Sequence, residues 1–283
     1  MQRILEAKIK ADLDQKIVFL SGPRQVGKTT LAKALYPKNS EYFNMDSEEH
    51  RLLIRKQAWR RDCDLVIFDE LHKIKKWKSW IKGIYDTEGI QPRLLVTGSS
   101  RLDTYRKGGD SLAGRFYHYR LHPFSVAEVK GSYSAGAALE KIMRLGGFPE
   151  PFLKGSEEHA KRWRRSHVDR ILREDLFDIA SIRHIRGMET LVELLRNSVG
   201  STISFESLAR DLQVSAHTVR HWIGMLESLY ILFVVSPYSR NIARGLLKQP
   251  KIYFYDTGFI KDDDGARFEN TVACALLKRL HFL

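Results

Sequence analysis

The fold is decided by the stretch Lys16-Ile-Val-Phe-Leu-Ser-Gly-Pro-Arg-Gln-Val-Gly-Lys-Thr29. Its first six residues form a short apolar run, which is typical of a buried parallel strand. A turn bounded by Gly22 and Gly27 follows, and residues 29–35 then have the pattern of a helix that ends near Pro37. A strand, a glycine-rich turn and a helix in this order form the opening unit of an α/β domain.

The turn satisfies the pattern G-x-x-x-x-G-K-S/T without departure. Two glycines let the backbone bend so that its N–H groups surround a phosphate, and the helix beginning near Lys28 adds the positive end of its dipole. Lys28 would place a charge on the β- and γ-phosphates of ATP, and the Thr29 hydroxyl would bind Mg²⁺. The residues predicted to bind the nucleotide are Gly22, Pro23, Arg24, Gln25, Val26, Gly27, Lys28, Thr29 and Thr30.

A second motif, Leu65-Val-Ile-Phe-Asp-Glu70, consists of four apolar residues followed by two acids. A buried strand delivers its last residues to the carboxyl edge of the sheet, where ligands bind in α/β folds. We expect Asp69 to hold Mg²⁺ through water and Glu70 to act as the general base for the attacking water. The two acids therefore predict hydrolysis of ATP as well as binding.

Three further apolar runs predict the remaining strands: Tyr42–Asp46, Arg93–Ser99 and Arg115–Leu121. Helical or mixed segments separate the runs, as parallel strands require. The predicted fold class is therefore α/β, with the parallel sheet of a P-loop NTPase.

Two further kinds of side chain are candidates for contact with the transferred phosphate. Ser99 is the candidate sensor of the γ-phosphate, with Ser100 and Thr97 as alternatives. Arg115 is the candidate for stabilising transition-state charge, from the same chain or from a neighbouring one, and Arg24 is the alternative. A helix-capping serine and a structural arginine explain the same residues equally well.

Residues 125–200 lack the strand pattern and are mostly helical in character. The stretch 205–232 resembles a helix-turn-helix, with Ser215 as the N-cap of its second helix. Two apolar runs at 230–235 and 251–255 follow, as in the wing of a winged helix. The pattern predicts a mostly helical winged-helix domain that either contacts double-stranded DNA or serves in protein packing.

Composition limits the location and the partners of the protein. The 283 residues carry a formal net charge of +13, which permits attraction to nucleic acid, but the surplus is spread along the chain. No apolar run is long enough to cross a bilayer, and the first residues lack the apolar stretch of a secretory signal. Because the only cysteines are Cys63 and Cys274, no disulfide framework is expected, and we predict a cytoplasmic protein without a membrane partner.

Several motifs occur in the order in which one known family has them. They are Gly22–Thr30, Asp46, Phe68–Glu70, Val96–Ser99, Ser111–Arg115, Pro123–Ser125 and Gly146–Pro149. On these residues the chain resembles prokaryotic AAA+-like ATP-binding proteins that carry an uncharacterised C-terminal domain. The resemblance implies an ATPase domain over residues 1–125, a helical and winged-helix domain over 126–255, and the truncated start of an endonuclease-like domain over 256–283.

The last segment departs from the family pattern. Residues 253–259 and 268–270 resemble the strand, turn and first helix of the endonuclease-like domain, but the acidic and lysine positions of a nuclease core are missing. No nuclease activity is therefore predicted. Apolar residues between 272 and 280 recur at helical spacing, which predicts an amphipathic helix with a face to bury. Either the gene product is longer than this sequence or the helix docks on the preceding residues.

Three functions are compatible with these predictions. The first is an AAA+-like conformational switch that hydrolyses ATP to ADP and phosphate, slowly or when a partner stimulates it. The second is an ATP-regulated DNA-binding protein, and the third is an interaction module in a defence or signalling system. Self-association into a homo-oligomer is compatible with all three, and a change of ATP turnover on adding DNA or another partner would distinguish them.

Overall fold

A computed structural model of the chain describes residues 1–98, 112, 114–175, 182–239, 248–261 and 263–282. By its internal contacts the chain divides into one unit of Met1–His122 with His281–Leu283 and a second unit of Pro123–Leu280. The first unit contains a five-stranded sheet, and the second is mostly helical.

Five parallel strands form the sheet of the first unit in the order β2-β3-β4-β1-β5. The strands are β1 (Ile17–Ser21), β2 (Ser40–Asn44), β3 (Leu65–Asp69), β4 (Arg93–Thr97) and β5 (Phe116–Arg120). The helices are α1 (Leu5–Leu13), α2 (Lys28–Leu35), α3 (Glu48–Arg55) and α4 (Trp77–Glu88), with a 3₁₀ turn at Leu71–Lys73. The predicted α/β class with a parallel sheet is therefore confirmed.

The two inner strands that carry the motifs are the most buried part of this unit. Every residue of β1 and of β3 is buried, as parallel strands covered on both faces require. The Phe68 ring packs edge-to-face against both Trp59 and Trp80, with ring centroids 5.5 and 5.4 Å away. These close aromatic contacts hold the end of β3 in a defined position.

The second strand differs from the prediction by two residues. It ends at Asn44, whereas the apolar pattern predicted an end at Asp46. The reason is a local turn, because the Asn44 side chain accepts a hydrogen bond of 2.9 Å from the backbone N–H of Asp46.

The second unit begins with helices that have clear sequence signals. They are α5 (Val126–Val129), α6 (Ala135–Leu145), α7 (Pro149–Lys154), α8 (Glu157–Arg170), α9 (Ile182–Arg196), α10 (Phe205–Asp211) and α11 (Ala216–Ser228). A π-turn at Ile171–Asp175 extends α8. Ser215 caps α11 as predicted, since its hydroxyl accepts a hydrogen bond of 3.0 Å from the Thr218 N–H.

Two antiparallel strands and a long helix complete the second unit. The elements are β6 (Leu232–Val235), β7 (Lys251–Phe254), a 3₁₀ turn at Thr257–Phe259 and α12 (Asp264–Phe282). Asn270 of α12 is fully buried and binds both backbone groups of Phe254, accepting from its N–H at 2.8 Å and donating to its carbonyl at 2.9 Å. A side chain thus supplies hydrogen bonds that a neighbouring strand would otherwise make with β7.

The apolar face predicted for the last helix is not the face that packs. Phe268, Val272, Leu276 and Leu280 are spaced by four residues and are all exposed, with Leu280 at 68%. The helix packs instead through another face, which carries the buried Asn270 beside the partly buried Ala273 and Leu277. The prediction of a helix is confirmed, whereas the alternative that its apolar face docks on the described residues is wrong.

Glycine and a buried ion pair explain the motif Gly146–Pro149. Arg164 donates to Asp256 at 2.9 Å, and both side chains are buried. A Cβ atom on Gly146, whose φ is +83°, would lie 1.8 Å from Oδ1 of Asp256. Gly146, the first residue of the motif, is therefore required for packing within the second unit.

Among the helices in the described part of the chain, none combines the length and the apolarity that crossing a membrane requires.

Candidate functional site

The carboxyl ends of the inner strands meet at one edge of the sheet. In the register of the strands, Asp69 lies beside Asn44 on one side and Thr97 on the other, and Thr97 lies beside Leu20. The P-loop leaves β1 directly after Ser21 at the same edge. The sheet therefore brings the loop and the acidic motif together, as the order of the strands predicts.

Gly22 and Gly27 are needed at the two ends of the loop. Gly22 has a φ of +140°, and a Cβ atom there would lie 2.3 Å from the Leu121 carbonyl oxygen. Gly27 has a φ of +97° and immediately precedes the first turn of α2. The backbone takes a path that side chains at these positions would prevent, and it ends at the N-terminus of a helix, where anions bind.

Lys28 holds a positive charge within the loop. It is buried, and its ammonium donates to the carbonyls of Gly22 at 2.9 Å and of Pro23 at 2.7 Å. Carbonyl oxygens are weaker partners for an ammonium than phosphate oxygens are. A phosphate bound in the loop would therefore compete well for this charge.

The carboxylate of Asp69 accepts hydrogen bonds from three hydroxyl groups. Oδ2 accepts from Thr29 at 2.8 Å and from Tyr42 at 2.7 Å, and Oδ1 accepts from Thr97. Burial, followed by the hydrogen bond to Asp69, raises the pKa of Tyr42, so its hydroxyl stays protonated as a donor. The contact between Thr29 and Asp69 joins the P-loop to the end of β3.

Glu70 lies at the turn that follows β3, in a left-handed backbone conformation with φ 57°. Its N–H donates to the Thr97 carbonyl at 2.9 Å, which fixes the backbone at this point. Oε2 of its carboxylate lies 3.3 Å from Nδ1 of His72, a buried side chain. A strained conformation for a residue other than glycine is frequent at functional sites.

The candidate sensors are only partly within the described residues. Ser99 and its alternative Ser100 lie outside them. The other alternative, Thr97, lies at the site and binds Asp69.

Arg115 is not brought to the P-loop within the chain. Its backbone carbonyl accepts a hydrogen bond from the N–H of Ile17, the first residue of β1. Arg115 therefore lies at the amino ends of the strands, whereas the P-loop lies at their carboxyl ends. Its guanidinium binds Asp86 at 2.7 Å. Its predicted catalytic role stays a prediction, limited to action on the site of another chain.

The arrangement fits a nucleotide phosphate with a hard divalent cation. No group of three or more His, Cys, Asp or Glu side chains within the described ranges could hold a metal ion. Mg²⁺ in phosphate-binding sites takes one or two protein ligands and completes its shell with water and phosphate oxygens. Oγ1 of Thr29 and Oδ2 of Asp69 lie 2.8 Å apart, so these two side chains match the one or two protein ligands that Mg²⁺ takes at such a site.

Two residues at the site were not predicted. Tyr42 donates a hydrogen bond from its hydroxyl to Asp69. In the sequence it is recognisable only as one residue of a predicted strand. His72 lies against Glu70, and no pattern assigned it a role. A hydroxyl-bearing side chain on a predicted strand of the sheet is the available signal for Tyr42.

Arg220 of the predicted helix-turn-helix has partners within its own unit. It donates to Glu206 at 3.1 Å, and its guanidinium lies 4.8 Å from the centroid of the Phe205 ring. These contacts join α11 to α10. They are compatible with packing and leave DNA contact as a prediction.

The chain matches two protein families in succession. Residues 14–130 match the family described as an AAA domain, and residues 136–262 match a domain of unknown function, DUF8612. With the sheet and the P-loop already described, the first match shows that the N-terminal unit has the fold of AAA-type P-loop NTPases, followed by a helical region.

Curated relatives are longer proteins without an assigned activity. The uncharacterized protein Rv2008c of Mycobacterium tuberculosis is 29% identical over 248 residues, which cover 86% of this chain and 55% of the relative. The uncharacterized protein MJ1544 of Methanocaldococcus jannaschii is 23% identical over 287 residues, which cover 90% of this chain and 63% of the relative. The chain thus spans somewhat more than half the length of these relatives.

Solved structures with a distant likeness include three proteins from different organisms. A RuvB variant of Thermotoga maritima matches with a TM-score of 0.43 and 18% identity, covering 87% of this chain and 95% of that one. Drosophila ORC bound to DNA matches with a TM-score of 0.30 and 14% identity, covering 87% and 91%. C. elegans PCH-2 matches with a TM-score of 0.31 and 16% identity, covering 77% and 68%. At these TM-scores none of the three indicates a partner or an activity for this chain.

Proposed function

We propose that the chain binds MgATP at residues 22–30 and hydrolyses ATP to ADP and phosphate. The observation that supports this most strongly is the hydrogen bond of 2.8 Å between Thr29 and Asp69. It places the loop suited to phosphate beside the acid suited to a hydrated cation. Neither motif alone would predict hydrolysis, whereas the two together supply both binding and chemistry.

Binding rests on the loop and on its lysine. The backbone between Gly22 and Gly27 surrounds the phosphates, and Lys28 exchanges its two carbonyl partners for phosphate oxygens. Thr29 would supply a hydroxyl ligand to Mg²⁺, and Asp69 would hold water molecules of the metal's shell. The chemistry that Mg²⁺ would supply there is neutralisation of charge on the phosphates.

Glu70 is the residue proposed to activate water. As the water oxygen forms its bond to the γ-phosphorus, Glu70 takes the proton, and the bond from that phosphorus to the bridging oxygen breaks to leave ADP. The proton returns to solvent or to the released phosphate. His72, 3.3 Å from the carboxylate, limits the orientations that Glu70 can adopt.

Charge developing in the transition state needs further donors. Ser99 is retained as the proposed sensor, with Thr97 already at the edge of the site. Arg115 would act on the site of a second copy of the chain, which makes a homo-oligomer part of this proposal. Arg24 in the loop is the alternative within the same chain.

The role that ATP hydrolysis serves is proposed as a class of mechanism. We favour an AAA+-like switch in the cytoplasm, in which the bound nucleotide determines the conformation of the chain. Its ATP turnover is slow or is stimulated by a partner. An ATP-regulated DNA-binding protein is the second candidate, supported by the capped helix pair α10 and α11 followed by the antiparallel strands β6 and β7. An interaction module in a defence or signalling system is the third.

Nucleotide binding by Lys28→Ala tests the first step of the proposal. We expect affinity for ATP to fall about 10- to 100-fold, because charged hydrogen bonds to phosphate are lost. Equilibrium titration with a fluorescent ATP analogue measures this. The matched control is Lys16→Ala, which removes the same charge at the opposite end of β1 and should bind as the wild type does. Equal affinity in Lys28→Ala and the wild type would contradict the assigned site.

A further inference from the structure

The hydroxyls around Asp69 come from three different elements. Thr29 belongs to α2, Tyr42 to β2 and Thr97 to β4. Tyr42 and Thr29 donate to the same oxygen, Oδ2, at 2.7 and 2.8 Å, while Thr97 donates to Oδ1. A carboxylate oxygen accepts two such bonds readily, so three neutral donors occupy most of the acceptor positions of Asp69.

A metal held by Thr29 would leave these donors in place. If Thr29 offers a hydroxyl lone pair to Mg²⁺, as the proposed function requires, its O–H can still donate to Oδ2. Tyr42 and Thr97 are the donors that come from the neighbouring strands, on Oδ2 and Oδ1 respectively. The two donors hold the carboxylate plane from opposite sides of β3, since β2 and β4 are its neighbours in the sheet.

We propose that Tyr42 is a positioning residue that keeps the Asp69 carboxylate oriented toward the hydrated metal of MgATP. The inference rests on the proposed function and names one more residue of that site. Groups that donate hydrogen bonds to a metal-holding carboxylate restrict its orientation and raise the affinity of the site for the metal.

The position of Tyr42 is itself restrained by the helix that carries Thr29. The ammonium of Lys33 on α2 lies 3.7 Å from the centroid of the Tyr42 ring, within the range of a cation–π contact. The His50 ring is nearly perpendicular to the Tyr42 ring, with centroids 6.5 Å apart. Because α2 supplies both Thr29 and Lys33, the helix that would bind the metal also fixes the tyrosine.

The test compares nucleotide affinity with and without Mg²⁺ in Tyr42→Phe. The substitution keeps the ring and its contact with Lys33 and removes only the hydroxyl donor. We expect affinity for a fluorescent ATP analogue in EDTA to be unchanged and its enhancement by Mg²⁺ to fall about tenfold, as for other residues that orient metal ligands. The control Tyr119→Phe removes a hydroxyl contact to another aspartate, Asp12, and should keep the wild-type enhancement.

The possible outcomes separate this inference from the proposed function. A Tyr42→Phe protein with the wild-type enhancement by Mg²⁺ would overturn the role of Tyr42 and leave the proposed function standing. Equal weakening in EDTA and in Mg²⁺ would also overturn it, because it would indicate a general effect on the loop. A wild-type protein that binds no nucleotide under either condition would contradict the proposed function itself.

Discussion

Single residues at the carboxyl ends of the strands explain why two short motifs lie together. Thr29 and Asp69 are 40 positions apart, yet a hydrogen bond of 2.8 Å joins them because β1 and β3 end at the same edge. Gly22 makes room for this arrangement, since a Cβ atom there would lie 2.3 Å from a backbone oxygen. Backbone shape and one hydroxyl thus determine where the charges of the site lie.

A glycine of the second unit gives a stability prediction. We expect Gly146→Ala to lower the free energy of unfolding by about 2–4 kcal/mol, because the new methyl group meets Asp256 and the backbone has a positive φ. Urea denaturation measures the change. The control Gly136→Ala lies in helix α6, where a Cβ atom would have nothing within 4 Å. It should leave stability the same or raise it by up to about 1 kcal/mol. Equal stability of the two variants would contradict the packing assigned to Gly146.

The sequence predicts the charged and loop residues of the site better than its hydroxyls. Lys28, Asp69 and Glu70 are recognisable because phosphate and metal chemistry requires those residue types at fixed positions in the motifs. Tyr42 lies two residues before Asn44, the residue beside Asp69, so its hydroxyl reaches Asp69 only after β2 and β3 are aligned. Arg115 has a suitable charge, but it lies at the amino ends of the parallel strands, whereas the P-loop of the same chain lies at their carboxyl ends.

At the scale of elements, parallel strands were predicted more closely than the final helix. The runs that form β1 and β3 are apolar throughout and buried throughout, so pattern and environment agree. In α12 the predicted apolar face at Val272, Leu276 and Leu280 is exposed. The face that packs combines the buried Asn270 with partly buried apolar residues such as Ala273 and Leu277. Hydrophobic periodicity alone cannot find a helix face that packs partly through side-chain hydrogen bonds to a strand.

Asn270 provides a test of that packing. We expect Asn270→Ala to destabilise the second unit by about 2–4 kcal/mol, because the N–H and carbonyl of Phe254 would lose buried partners. Thermal or chemical unfolding followed by circular dichroism measures the loss. Arg279→Ala, at an exposed position of the same helix, should stay within about 0.5 kcal/mol of the wild type. Similar stability of both variants would show that Asn270 does not secure α12 to β7.

At the scale of the whole molecule, an AAA-type sheet unit is followed in the chain by a mostly helical unit. The predicted α/β class is confirmed, while the domain limits at residues 125 and 255 and the winged-helix and endonuclease-like assignments stay predictions. The family match and the strand order establish the fold, whereas partners depend on surfaces that fold alone does not specify. The net charge of +13 allows a nucleic-acid partner without locating its binding surface.

Duplex DNA binding tests the second candidate function. That function predicts that Arg220→Ala weakens binding about 5- to 100-fold and that affinity falls steeply with added salt. Fluorescence anisotropy with a labelled duplex at several salt concentrations measures both effects. The control is Arg144→Ala, which removes another arginine that has a carboxylate partner at the surface. An absence of binding even at low salt would remove this candidate and leave packing between α10 and α11 as the role of Arg220.

The most direct test of the central claim separates ATP binding from ATP hydrolysis in Glu70→Gln. Single-turnover phosphate release, with protein in excess over ATP, detects hydrolysis even when turnover is slow, and nucleotide titration of the same samples measures binding. We predict that Glu70→Gln binds ATP as the wild type does but releases phosphate at least about 100-fold more slowly, because it keeps the shape of the side chain and loses the base. Glu49→Gln, an exposed acid on α3, should match the wild type in both measurements. Phosphate release by Glu70→Gln at the wild-type rate would contradict the account.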